Sequence, residues 1–316
     1  RRLGHDVVAA VPALRDHRPP VGAPVEAEVV CVPPPPRRGP RWQRELLEIR
    51  HSRRLFAEVT SSVDLVWERH SLHSDGGWRF AASRGIPRLV EINAPLLLER
   101  EVTDPVGLWS VADRLERLSL QRCVRAVVVS HWLAPWARAL GAPEVRVVPN
   151  GTSARPGRTA RRPDADLVVG YVGSCARWHD LPSLPALLAQ LPEATAIVVG
   201  TGPSPPPTHP RILHVPSVDD PMPWVRTFDV AIAPGRAPPW VSPLKLVDYR
   251  AAGVPIVSSD VGDSAQLVGA GGEVLSVGAP AEAWAQAIRR QHGREVAASV
   301  RSWDRVVSEA LDGLSG

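Results

Sequence analysis

Phe228-Asp229-Val230-Ala231-Ile232-Ala233-Pro234, a loop ending in Trp240, Ser242-Pro243-Leu244-Lys245-Leu246-Val247-Asp248-Tyr249-Arg250-Ala251-Ala252-Gly253, and Val254-Pro255-Ile256-Val257 parse as strand, loop, helix, turn and strand. A short apolar run reads as a buried parallel strand, and the longer amphipathic stretch as the crossover helix beside it. Ser242 is a good N-cap and Pro243 suits the first helical position, while Gly253 followed by Pro255 ends the helix. A helix N-terminus offers free backbone N–H groups and the positive end of a dipole, so this turn can hold phosphate. Lys245 falls in the first turn, and Asp248, three residues on, shares its face, where a carboxylate can accept from ribose hydroxyls.

The same rhythm extends in both directions. In the second half, apolar runs at 168–172, 196–199, 212–215, 230–233, 256–258 and 273–275 predict strands; in the first half, runs at 6–11, 28–32, 65–68, 88–92, 126–129 and 145–148 do so. Helices fit between them at 42–59, 78–84 and 108–123. Strands alternating with helices predict an α/β chain built of two similar units. The first unit is expected over 1–150, a linker rich in Arg, Pro, Gly and Ser over 151–166, the second unit over 167–295, and a closing helical segment over 296–316. Residues 33–36, all proline, with the arginines after them, predict an extended loop.

A chain of 316 residues with 44% hydrophobic and 22% charged residues has room for two ordinary cores. No apolar run is long enough for a membrane helix, and the three cysteines form no C-x-x-C pair, so a soluble protein of a reducing cytosol is expected, without disulfide or zinc. The net charge of +4 includes no Arg/Lys-aromatic stripe of the kind that binds nucleic acid. Among the 37 basic residues one alone is lysine, Lys245. Composition that replaces lysine everywhere else marks this position as one that requires a compact, flexible ammonium.

The run from Ser242 to Val257 resembles the donor-site signature of the family 4 retaining glycosyltransferases. That resemblance implies the GT-B fold, two Rossmann-like domains facing across a cleft, with a nucleoside diphosphate sugar as donor substrate and no cofactor or metal. By this match Ser242, Pro243, Leu244 and Lys245 form the diphosphate turn, and Asp248 is the ribose ligand. The family signature places two glutamates eight residues apart; here the later position is Asp248 and the earlier is Trp240. Val169-Gly170-Tyr171-Val172-Gly173-Ser174 with Arg177-Trp178-His179 is similar to the family's first strand and glycine loop of the donor domain, where arginine and lysine often neutralise the diphosphate. Gly173, Ser174, Arg177 and His179 are therefore candidate donor ligands, with His179 standing where lysine is common. Gly200-Thr201-Gly202 resembles the loop near the donor base, which adds Gly200 and Gly202. Arg301-Ser302-Trp303-Asp304 opens a final helix that in this fold often crosses back to the first domain.

In the first half, the strand ending Glu91-Ile92-Asn93-Ala94-Pro95 is similar to one branch of the family. Strand ends are where ligands sit in such sheets, so Glu91 and Asn93 are the candidates for contacting the transferred sugar or the acceptor hydroxyl. Asparagine cannot act as a base, which leaves that role to Glu91 or Glu99. His70 and His73 are read as packing or capping residues. Arg1-Arg2-Leu3-Gly4-His5-Asp6 reads as the end of a helix, a glycine cap and a strand, so a further strand and its glycine loop are expected upstream. The acceptor is expected to be an envelope glycan, a lipid or a small natural product. Arg37, Arg38, Arg41 and Arg44 would allow a peripheral contact at the inner face of a membrane. The rival readings are a nucleotide-sugar epimerase of the same fold and a non-catalytic nucleotide-sugar-binding partner.

Overall fold

The computed structural model describes residues 3–12, 27–36, 38–157, 167–236 and 238–314. Arg1 and Arg2 of the expected helix end, Arg37 of the loop, and 158–166 of the expected linker lie outside the described residues. Two compact units divide the chain after Val148.

Unit 1 carries two parallel sheets among its described residues. β1 (Val8–Pro12) pairs with β2 (Glu28–Val32), and β3 (Val66–Arg69), β4 (Arg88–Ile92), β5 (Arg125–Val128) and β6 (Val145–Val147) form the second sheet in that order. The helices are α1 (Arg41–Ala57), α2 (Gly76–Arg84), α3 (Leu96–Thr103), α4 (Trp109–Gln121) and α5 (Leu133–Ala139). β4 and β5 are covered on both faces: Leu89, Val90, Ile92, Ala126 and Val128 are fully buried. That is why the central strands read as continuous apolar runs. Arg88 and Arg125 nonetheless enter the sheet. The Arg88 guanidinium donates to Glu68 Oε2 at 2.7 Å, to the Ser119 carbonyl at 2.9 Å and to Ser119 Oγ at 2.8 Å, so a buried charge is paired and hydrogen-bonded. Gly77 makes room for that carboxylate, since a Cβ there would lie 2.0 Å from Glu68 Oε2.

Unit 2 is one doubly wound parallel sheet. β7 (Leu167–Val172), α6 (Leu184–Gln190), β8 (Ala194–Val199), β9 (Ile212–Val215), α7 (Met222–Val225), β10 (Val230–Ala233), α8 (Leu244–Ala252), β11 (Ile256–Ser259), α9 (Ser264–Val268), β12 (Gly272–Leu275), α10 (Ala281–Gln291) and α11 (Trp303–Leu311) follow in chain order. The strand order is β12-β11-β10-β7-β8-β9. Side chains alternate across β7: Leu167, Val169 and Tyr171 face α6 and α10, where Leu184, Leu188 and Ile288 are buried, while Val168 and Val172 face the core of α7, α8 and α9 with Phe228, Leu246 and Tyr249. α11 begins with Ser302 accepting from the Arg305 N–H, a side-chain N-cap. Its leading strand segment lies against residues 149–152: Thr152 N–H donates to the Arg301 carbonyl at 2.8 Å and Arg301 Nε to the Pro149 carbonyl at 2.9 Å. No helix of the described residues is long and apolar enough to cross a membrane.

Candidate functional site

The connections leaving β7 and β10 run to opposite sides of the sheet, so the carboxyl ends of these two neighbours form the switch point where a doubly wound sheet opens a crevice. Beyond β7 the chain turns at Gly173, whose φ of +141° is a backbone state that L side chains rarely adopt. The turn after β8 interlocks with it. A Cβ on Gly200 would stand 1.9 Å from the Gly173 carbonyl oxygen, and one on Gly202 would stand 2.5 Å from the Cys175 carbonyl oxygen. Gly173 N–H donates to Val199 O at 3.0 Å and Cys175 N–H to Thr201 O at 2.9 Å, so the two glycine loops hold each other.

α8 opens at this crevice one residue later than the sequence suggests. Pro243, expected at the first helical position, is instead the N-cap residue, with φ −71° and ψ 103°, and no side chain caps the helix. Ser242, expected to be that cap, keeps its hydroxyl buried without a hydrogen-bond partner. The residue before proline is driven out of the helical region, which carries the Ser242 side chain away from the first-turn amides. Leu244 and Lys245 thus start the helix, and their N–H groups have no acceptor within it.

The Lys245 ammonium sits under Gly173, where a Cβ would meet its Nζ at 3.2 Å. It lies 3.1 Å from the Tyr171 hydroxyl, 3.3 Å from His179 Nε2 and 4.5 Å from the centre of the Tyr171 ring. Tyr171 is fully buried and donates to the Ser174 carbonyl at 2.7 Å. Burial pulls the Lys245 pKa down to about 7, and burial together with the neighbouring ammonium pulls that of His179 down to about 4. The loop carrying His179 is tied to the end of β10 through Arg236 N–H, which donates to the Trp178 carbonyl at 2.8 Å. Of the other expected donor ligands, Ser174 and Arg177 are exposed on this loop, and Leu244 is exposed at the helix mouth. The structure brings Gly173, His179, Gly200, Gly202 and Lys245 together; it leaves Arg177 without a hydrogen-bond or ion-pair partner among the described residues.

Asp248 lies one turn along the same helix. Its Oδ1 accepts from Thr152 Oγ1 at 2.6 Å, and Thr152 Oγ1 accepts in turn from Ala154 N–H at 2.9 Å. Burial raises the Asp248 pKa, opposed by the Thr152 hydrogen bond and reinforced by Asp220. Tyr171 and Thr152 are the contributions that the sequence reading missed. The signal for Tyr171 was its place two residues before the glycine turn, on a strand; for Thr152 nothing local pointed to a partner so distant.

In unit 1, Glu91 and Asn93 stand at the carboxyl end of β4, both half-buried. Glu91 accepts from Asn93 Nδ2 at 2.9 Å through one oxygen and from Trp67 Nε1 at 3.0 Å through the other. Glu99 belongs to the first turn of α3. His70 meets Glu116 at 3.2 Å and His73 meets Glu48 at 3.1 Å, both in buried or half-buried pairs that brace the loop before α2. No cluster of three or more metal-ligating side chains occurs among the described residues.

The described residues thus form two parallel α/β units, the second with interlocked glycine turns and a lysine at its switch point. Residues 1–155 match the family model Glycosyltransferase Family 4, and residues 167–292 match Glycosyl transferases group 1. The chain belongs to the family 4-like glycosyltransferases. Among solved structures it is similar to sucrose-phosphate synthase from Thermosynechococcus elongatus, at 17% identity and a TM-score of 0.68, covering 92% of this chain and 80% of that one. It is similar also to Anabaena HepE solved with UDP and glucose, at 17% identity and TM-score 0.59, over 84% and 76% of the two chains. WaaG, a glycosyltransferase of lipopolysaccharide biosynthesis, aligns at 11% identity and TM-score 0.61 over 92% and 83%. These likenesses establish the fold. A search of the curated proteins found no significant match.

Proposed function

We propose that this glycosyltransferase takes a sugar from a nucleoside diphosphate sugar held in unit 2 and moves it to an acceptor hydroxyl, without a metal and with retention at the anomeric carbon. The observation that carries the reading is the ammonium of Lys245, held at the open N-terminus of α8 with no carboxylate partner among the described residues. A half-buried cation without a counter-charge is costly unless a ligand brings one. A leaving diphosphate is that ligand. Its charge develops against Lys245 and the first-turn amides of α8, a preorganised electrostatic stabilisation in the role a metal plays elsewhere. Asp248, with the oxygen that Thr152 leaves open, takes a ribose hydroxyl. HepE, a similar fold, has been solved with UDP-glucose, which favours a uridine diphosphate sugar as the first donor to try.

The acceptor is assigned to the carboxyl end of β4. There Glu91 accepts two hydrogen bonds, an arrangement that fixes its direction, so it is suited to receiving a hydrogen bond from the incoming hydroxyl. Membership of the family favours retention at the anomeric carbon. The acceptor is an envelope glycan, a lipid or a small natural product, and Arg38, Arg41 and Arg44 offer a peripheral contact with a membrane surface.

The test is a thermal-shift and calorimetric screen of UDP, GDP, ADP and TDP and their sugars, with EDTA present and absent, beside Lys245→Ala and Asp248→Ala. One nucleotide should bind, equally well with EDTA, and lose at least tenfold in affinity in both variants. Binding to none of them by a folded protein overturns the donor site. Donor interconversion without acceptor would make the chain an epimerase, and binding without turnover on any acceptor would make it a partner subunit. Anomeric configuration of the product, read by NMR, decides retention.

A further inference from the structure

A lysine ammonium has three N–H bonds, and the structure accounts for two of them. One meets the Tyr171 hydroxyl, whose own proton is given to the Ser174 carbonyl, so the phenol oxygen is an acceptor toward Lys245. The other meets Nε2 of His179. On its other side the ring faces the backbone of Pro234 and Gly235: a Cβ on Gly235 would stand 3.5 Å from Nδ1, and the Pro234 carbonyl favours an N–H there. With Nε2 turned to the ammonium, that N–H belongs to Nδ1, and Nε2 presents its lone pair. The ring is further fixed edge-on against Tyr171, centroids 5.6 Å apart.

The groups that face Lys245 are thus Tyr171 from β7, with Cys175 and His179 from the loop after it, while Asp248 on its own helix is engaged with Thr152. None of the direct contacts is an anion. A cationic imidazole 3.3 Å from the ammonium would repel it, so the position that relatives commonly fill with a lysine cannot be doing a second lysine's work here.

Resting on the donor site proposed above, we propose that His179 is a positioning residue: a neutral acceptor of fixed tautomer that, with Tyr171, aims the third N–H of Lys245 at the donor diphosphate, and not itself a cation on the phosphates. The site then acquires its charge as the ligand arrives. With Lys245 near half-protonated at pH 7 in the free protein and His179 neutral above about pH 4, diphosphate binding draws a proton onto the lysine. Affinity should therefore fall as pH rises above 7, approaching tenfold per pH unit.

Lys245 is the only lysine of the chain, so protein produced with 13Cε,15Nζ-labelled lysine yields a single lysine resonance with the ammonium unaltered. The experiment is a pH titration of that resonance in the full chain, together with 15N-histidine NMR of His179, each with and without the nucleotide that binds best among UDP, GDP, ADP and TDP. The expected result is a lysine midpoint near 7 that moves up on binding, with His179 remaining the Nδ1–H tautomer from pH 5 to 8 in both states. His179→Leu should bind at least tenfold more weakly; His179→Gln, which keeps an acceptor, should recover most of that loss; His179→Lys should not. An imidazolium at His179 in the bound state, or His179→Lys binding as tightly as His179→Gln, overturns the positioning role. If the wild-type chain binds none of the four nucleotides, the donor site itself falls and this role with it.

Discussion

Replacing Lys245 by methionine should stabilise the free protein while removing donor binding. In the unfolded chain the amine titrates at its ordinary 10.5, and in the folded state burial brings it to about 7. At pH 7 this difference corresponds to about 4 kcal/mol against folding, an upper bound at roughly 1.4 kcal/mol per pH unit. Methionine of similar length removes that penalty but leaves the Tyr171 hydroxyl and His179 Nε2 without their donor, each worth about 1 kcal/mol. The expected net gain is about 2 kcal/mol, or roughly 4–8 °C in Tm for a unit of this size. The pH dependence fixes the cause. A base whose folded pKa lies below its unfolded value destabilises fully below the folded pKa, and the effect fades as pH rises from 7 to 10.5. Wild type should thus gain on the variant across that interval and lose its deficit near its top. The buried tyrosines Tyr171 and Tyr249, whose pKa values are raised, respond to alkali in both proteins and cancel in the comparison. Urea unfolding of the two proteins at pH 7, 8.5 and 10 measures it. A variant less stable than wild type at pH 7, or a difference that does not change with pH, would refute the reasoning.

Thr152→Val should weaken nucleotide binding about fivefold to tenfold, the worth of about 1 kcal/mol of positioning, and Asp248→Asn should lose little more when Thr152 is already gone; calorimetry on the four proteins of that cycle gives the coupling. Gly200→Ala forces a Cβ to within 1.9 Å of the Gly173 carbonyl oxygen at a φ of +142°, and should lower the stability of unit 2 by roughly 3 kcal/mol or more, seen as a shift of the urea midpoint. Glu68→Ala strands the buried guanidinium of Arg88 and should destabilise by about 3–5 kcal/mol, whereas Glu68→Ala with Arg88→Met should recover a substantial part in the same assay.

The alternation of strand and helix was legible in the sequence because both faces of a parallel sheet are covered, so β7 and β10 read as unbroken apolar runs and β4 and β5 as apolar runs interrupted by Arg88, Glu91 and Arg125. Gly173, Gly200 and Lys245 were legible for a related reason: a turn that admits no Cβ and a lone lysine in an arginine chain are local facts of composition. Ser242 was misread by local rules, since a serine before proline satisfies the pattern of a cap while its backbone is turned away from the helix it should close. What tertiary structure alone decided is which groups meet. Tyr171 and His179 reach Lys245 across 74 and 66 residues, and Thr152 reaches Asp248 across 96. Such contacts depend on strand order and on how far each loop extends, and no periodicity in the chain records them. The sequence by itself therefore determined the alternation of strand and helix and the lone lysine; the packing of distant elements determined that Tyr171 and His179 hold it.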